Sequence, residues 1–111
     1  MTFFVVTMTH PDGDGWDTHL LDHLRWILDL VKQDKIKASG PPIGSKLRSG
    51  MIIFQVEDRA ELDALLAKDP FVIHDLIVSL DIVEWDPLFG IWSEFASGRA
   101  DAFVAQIEAE G

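Results

Sequence analysis

The run Phe3-Phe4-Val5-Val6-Thr7-Met8 is apolar on both of its sides. Successive side chains of a strand point to opposite faces, so residues 4, 6 and 8 share one face and residues 3, 5 and 7 the other. A sheet built around such a strand needs cover above and below. Two later runs repeat the demand in part. Ile52, Phe54 and Val56 alternate with Met51, Ile53 and Gln55, and Leu76, Val78, Leu80 and Ile82 alternate with Ile77, Ser79, Asp81 and Val83. Burying one large apolar side chain is worth roughly 1.5–3 kcal/mol. Leaving Phe3, Val5, Met51 and Ile53 in water would forfeit several such terms.

Between these runs the period changes from two to 3.6. From about residue 17 to residue 34, Leu20, Leu24, Ile27, Leu28 and Val31 recur as one helical stripe, with Asp17 or Thr18 as the expected N-cap. Residues 35–40 read as a short strand, Gly40-Pro41-Pro42-Ile43-Gly44 as a stiff loop, and residues 50–56 as a third strand. Asp58 with Glu61 forms a capping-box pattern for a second helix, whose buried side is Leu62, Leu65 and Leu66. Asp69-Pro70 ends that helix, because the residue before a proline is pushed out of the α region. Residues 76–85 supply the fourth strand.

The order is β-α-β-β-α-β, which predicts an α+β, ferredoxin-like fold: a four-stranded antiparallel sheet with both helices on one face. The other face then needs a partner, and the economical one is the same sheet from a second copy, giving a homodimer with a shared barrel-like core. The predicted domain covers residues 1–87. Residues 88–111 form a C-terminal helical extension. Its Leu88, Phe89, Ile91, Trp92 and Phe95, with Phe103, Val104 and Ile107 spaced like the buried side of a last helix, should pack on the domain or on a partner subunit, where a higher oligomer can build.

Charge removes several functional classes. Nineteen acidic residues against nine basic ones give a net charge of -10. Phosphate backbones and anionic membrane surfaces both call for clustered Lys and Arg, so neither nucleic acid nor membrane is an expected partner. The slight basic cluster of Lys32, Lys35, Lys37, Lys46 and Arg48 reads as a solvated rim or as a seat for a small anion. No cysteine is present, so there is no disulfide framework and no thiolate. No basic-then-apolar leader and no apolar run near the ~20 residues of a membrane span occurs. The expected setting is soluble and cytoplasmic.

Few side chains offer chemistry. His23 shares a helix stripe with His19, Trp26 and Leu30, bordering the core stripe. It is either a half-buried helix histidine with one hydrogen bond or a titratable group facing a pocket. Asp69 either caps the turn that follows it or orients His23 as its carboxylate partner. His74 is a weaker candidate for the same role, and Asp75 a solvated neighbour. His19 and His23 form an i, i+4 pair that a metal could use with His10, Asp12 or Asp14, but no third ligand is evident, and no metal is expected. Ser39, Gln55, Ser79 and Asp81 are polar positions in strand layers, at strand edges or lining a small pocket. Trp16, Trp26, Trp85 and Trp92 suit core and interface packing, or the walls of a site for a flat ligand. Neither a G-x-G-x-x-G nor a Walker loop nor a G-x-S-x-G elbow occurs, so no cofactor is expected.

These pieces together resemble the YCII-related (YciI-like) family. The resemblance rests on Phe3-Phe4-Val5-Val6, His23-Leu24 with Ile27-Leu28 and Leu30, Ala38-Ser39-Gly40-Pro41, Asp69-Pro70-Phe71-Val72 and Val83-Glu84-Trp85, across residues 3–87. It implies a dimeric α+β barrel similar in fold to muconolactone isomerase. It also implies a His–Asp active site at His23 and Asp69, with Gly40-Pro41 in the pocket wall. Ser39 and Ser79, read from the strand pattern, are expected to help line the same pocket. Halide elimination from a hydroxylated aromatic ring is the chemistry proposed for the family's best-understood branch. Three features depart from the pattern: Asp34 stands where the helix usually exits through glycine, the loop after Gly40-Pro41 differs, and the tail has no family counterpart.

Two functions are therefore expected. The first is a cofactor-independent lyase or isomerase using His23 and Asp69 for acid/base work on a small cyclic or aromatic acid. The alternative is a non-catalytic dimeric module that binds a small ligand. A hydrogen bond between His23 and Asp69 in an open pocket favours the first.

Overall fold

The strand that is apolar on both sides lies in the middle of the sheet. In the computed structural model, which describes residues 1–111, β1 (Thr2–Thr9) pairs antiparallel with β3 (Ser49–Val56) on one side and β4 (Ser79–Trp85) on the other, while β2 (Ile36–Gly40) pairs with β3 at the edge. The resulting order β2-β3-β1-β4 is the ferredoxin-like one, and the fold is α+β as expected. α1 (Asp14–Lys32) and α2 (Arg59–Leu66) cover one face, and a single turn, α3 (Pro70–Ile73), follows α2. The core lies under these helices. Phe4, Val6 and Met8 of β1 and Ile52, Phe54 and Val56 of β3 meet Leu30 of α1 and Leu62 and Leu66 of α2.

The capping box expected at Asp58 forms as a hydrogen bond from the Glu61 amide to Asp58 Oδ1 (2.9 Å), while Glu61 Oε1 accepts the amide of Glu57 (3.0 Å). α1 starts earlier than expected. Gly13 stands before it at φ +128°, and Asp14 and Asp17 place negative charge in its first turn, where the helix dipole favours it. Thr18 is inside the helix and donates its hydroxyl to the Asp14 carbonyl (3.0 Å). At the far end Asp34 takes the left-handed conformation, φ +63°, that a glycine would otherwise supply.

The buried stripe of α1 is not the one expected. His23 and Leu30 are buried, with Trp26 and Ile27 packed on the core, whereas Leu24, Leu28 and Val31 stay exposed. The helix carries apolar residues around more of its circumference than one sheet can cover, and the turn containing His23 is held against α3. The opposite sheet face is capped at one end by the tail. Phe3 is buried under Trp85, Trp92 and Phe95, ring centroids 5.6–6.0 Å away. Asp86 fastens this cover. It accepts Ser97 Oγ (2.6 Å), the Ser97 amide (3.0 Å) and Arg99 Nη2 (3.1 Å), and these bonds, Ser97 foremost, hold its carboxyl below the usual range.

Beyond the clasp, α4 (Arg99–Glu110) projects. Phe103, Val104 and Ile107, expected to pack on the domain or on a partner subunit, do not pack on the domain and are exposed on the single chain. The Cα radius of gyration is 16.8 Å, against about 13 Å for a compact chain near this length. Along the rest of the open sheet face, Met51 and Val83 are also exposed. No helix is long and apolar enough to cross a membrane.

Candidate active site

Capping and holding an imidazole are two bonds of one oxygen here. Asp69 sits at the N-cap of α3 with Pro70 at the first helical position, where a missing N–H costs nothing. Its Oδ1 accepts the Phe71 amide at 3.0 Å and lies 2.6 Å from His23 Nδ1. Both side chains are buried. A carboxylate oxygen only accepts, so His23 donates Nδ1–H to it and keeps a lone pair on Nε2. Asp69 Oδ2 is buried without a partner.

His23 lines a cavity of about 320 Å³ between α1 and the sheet. Trp16 and Leu20 of α1, Ser39, Gly40 and Pro41 at the end of β2, and Ser49 and Gly50 of β3 share its wall. Phe71 backs the imidazoles: its ring stacks on His23 at 4.3 Å and on Trp16 at 4.9 Å. The Arg48 guanidinium lies 5.1 Å from the Trp16 ring centroid, so a positive charge stands at this edge of an acidic protein. A wider hollow of about 450 Å³ lies at the Asp86–Ser97–Arg99 clasp and contains no imidazole.

A second imidazole stands in this wall without having stood out as a pocket residue in the sequence. His10 is buried and lines the same cavity, with Nδ1 2.7 Å from the Leu76 carbonyl oxygen. The signal was present: residues 4, 6 and 8 face the helices, and parity carries residue 10 to the same side. Burial lowers the His10 pKa below its ordinary 6.5. The Leu76 carbonyl pulls it back up, nearby His23 pushes it down, and Asp69 raises it. Below about pH 6.5 the unfolded chain takes up a proton at this position that the folded chain resists, so stability falls as the pH drops. Urea midpoints measured from pH 8 to pH 5 should decline more for wild type than for His10→Asn; parallel curves would remove His10 as a cause.

The remaining candidates separate. Ser39, Gly40 and Pro41 lie in the cavity wall, whereas Ser79 is exposed at the start of β4 and outside it. His74, proposed to orient His23, is exposed and instead stacks on His19 with ring centroids 3.7 Å apart, because α3 turns it to the outer side of α1. No group of three His, Cys, Asp or Glu side chains converges as a metal site. Gln55 is buried on the face opposite the helices, opposite Phe3 in register, and Asp81 is exposed there.

A ferredoxin-like sheet with a buried His–Asp pair at a helix–sheet cavity defines a small α+β domain with its titratable groups gathered at one cavity. Residues 1–86 match the YCII-related domain, and the chain belongs to the YCII-related family. Among solved structures it is similar to the 5-chloro-2-hydroxyhydroquinone dehydrochlorinase of Burkholderia phenoliruptrix AC1100 in complex with 2,5-dihydroxybenzoquinone. The TM-score is 0.65 at 19% identity, over 76% of this chain and 93% of that one. It is also similar to a NIPSNAP domain protein from Burkholderia xenovorans (TM-score 0.53, 18% identity, 78% of this chain and 94% of that one). Protein Atu4242 from Agrobacterium tumefaciens gives a TM-score of 0.51 at 17% identity, over 78% and 93%. At these identities the likeness is one of fold. No curated protein matches the sequence.

Proposed function

We propose that this protein is a cofactor-independent lyase or isomerase acting on a small cyclic or aromatic acid, with His23 as its general base and acid. The observation that carries the proposal is the 2.6 Å bond from a buried Asp69 to an imidazole in the wall of an open cavity. Asp69 fixes the ring and its tautomer, and Nε2 is left to accept the substrate proton. The carboxylate then stabilises the imidazolium until the proton is returned or passed to a leaving group. Ser39, Gly40 and Pro41 border the substrate, and Trp16 offers its ring a flat wall. The dehydrochlorinase with similar fold supports a hydroxylated ring as the first substrate to try. Chloride release from 5-chloro-2-hydroxyhydroquinone under anaerobic conditions, compared between wild type and His23→Asn, tests the reading. Release that depends on His23 supports it, and equal release by both proteins overturns it.

The working unit proposed is a homodimer joined through the open sheet face. Met51 and Val83 are exposed there, beside the half-buried Val5 and Ile53 that they flank in register. A carboxylate placed among them loses its hydration on association. Val83→Glu should therefore convert a dimer into a monomer in sedimentation at micromolar concentration. A wild-type protein that is already monomeric there refutes the dimer.

A further inference from the structure

Two imidazoles reach the cavity, and they are built alike. His23 donates Nδ1–H to Asp69. His10 Nδ1 faces the Leu76 carbonyl at 2.7 Å, and a carbonyl oxygen only accepts, so this nitrogen carries the proton and Nε2 carries a lone pair. The rings stand edge-on at 70°, centroids 6.1 Å apart, and both pack against Phe71. Neither Nε2 has a protein partner. The sealed orphan atoms of the protein are Trp26 Nε1 and Asp69 Oδ2, so neither imidazole Nε2 is closed off, and both rings line the same cavity.

We infer that His10 is a second ligand contact of this cavity, accepting at Nε2 a hydrogen bond from one hydroxyl of a ligand while His23 engages another. The inference rests on the proposed function and deepens it, since it asks for a ligand with two O–H groups rather than one. The two imidazoles differ in what stands behind them. Behind His23 stands the Asp69 carboxylate, and behind His10 only the neutral Leu76 carbonyl, while burial lowers the His10 pKa. His23 therefore has a counter-ion beside it for a proton taken from the ligand, and His10 binds and orients.

Two measurements on the full chain decide it. Long-range 1H–15N NMR near neutral pH reads the tautomer without any ligand. A neutral His10 protonated on Nδ1 is expected, and a proton on Nε2 overturns the inference. Anaerobic calorimetry with hydroxyhydroquinone as the probe then compares wild type, His10→Asn and His74→Ala. Asparagine keeps a donor for the Leu76 carbonyl and lacks the distal nitrogen, so binding should weaken about threefold to tenfold, with His74→Ala unchanged. Wild-type binding that His10→Asn leaves intact overturns the inference while the proposed function stands. Failure of wild type to bind counts against the proposed function, and the tautomer then decides the role of His10 by itself.

Discussion

Replacing Asp69 with alanine is expected to cost about 1.5–5 kcal/mol of folding stability. Two losses contribute. The α3 N-cap disappears, worth about 0.5–2 kcal/mol. The His23 Nδ1–H is left buried without an acceptor, at about 1–3 kcal/mol. The partnerless Oδ2 works the other way, because its removal relieves a desolvation cost and draws the sum toward the lower end. Asp69→Asn keeps an oxygen that can make both bonds but sets a buried NH2 without a partner at the Oδ2 position, and should fall between wild type and alanine. Urea unfolding monitored by tryptophan fluorescence measures all three proteins. An alanine variant as stable as wild type would show that this carboxylate holds neither α3 nor His23 in place.

Turnover should respond more steeply to His23. His23→Asn retains a donor near the Nδ1 position and so preserves the bond to Asp69, but it has no group at the Nε2 position. The expected loss is about 10²–10⁴-fold in rate, the usual contribution of a positioned general base or acid. Folding stability should stay close to wild type, because the buried acceptor on Asp69 remains partnered. Asp69→Asn is expected to reduce the rate by less: the base survives and keeps an acceptor for Nδ1–H, while the neutral amide no longer stabilises the imidazolium. The decisive comparison is chloride release per folded molecule. A His23→Asn protein with full activity would move the chemistry elsewhere in the cavity.

Much of this site was legible before the fold, though unevenly. The Asp69-Pro70-Phe71 run offered two readings, a cap or a partner for His23, and both are satisfied because a single oxygen accepts two bonds. The one-turn helix after it reads in the sequence only as a turn, since four residues carry no periodicity to detect. The sequence offers His10 only as a loop ligand for a metal, although extending the parity of Phe4, Val6 and Met8 by one step places it inside. Among the lining candidates, Ser39 and Ser79 looked alike in sequence; only Ser39 stands at the cavity.

Helix α1 shows where local reasoning stops. Its apolar residues cover more than one face, so their spacing was compatible with more than one rotation of the helix. The rotation that occurs buries His23 and Leu30, turns Trp26 and Ile27 onto the core and leaves Leu24, Leu28 and Val31 exposed. The tail divides in a similar way. Trp92 and Phe95 cover Phe3 as their apolarity demands, whereas α4, with the same kind of stripe, projects past the Asp86 clasp.

The amino-acid order alone determined the element types, the parity of each strand and the ferredoxin-like connection, because these follow from backbone geometry repeated every two or 3.6 residues. Which face of α1 turns inward, and therefore that residues 10, 23 and 69 meet around Phe71, was decided only by tertiary packing. Contacts between residues 46 or more positions apart depend on how whole elements settle against one another, and no local period encodes that.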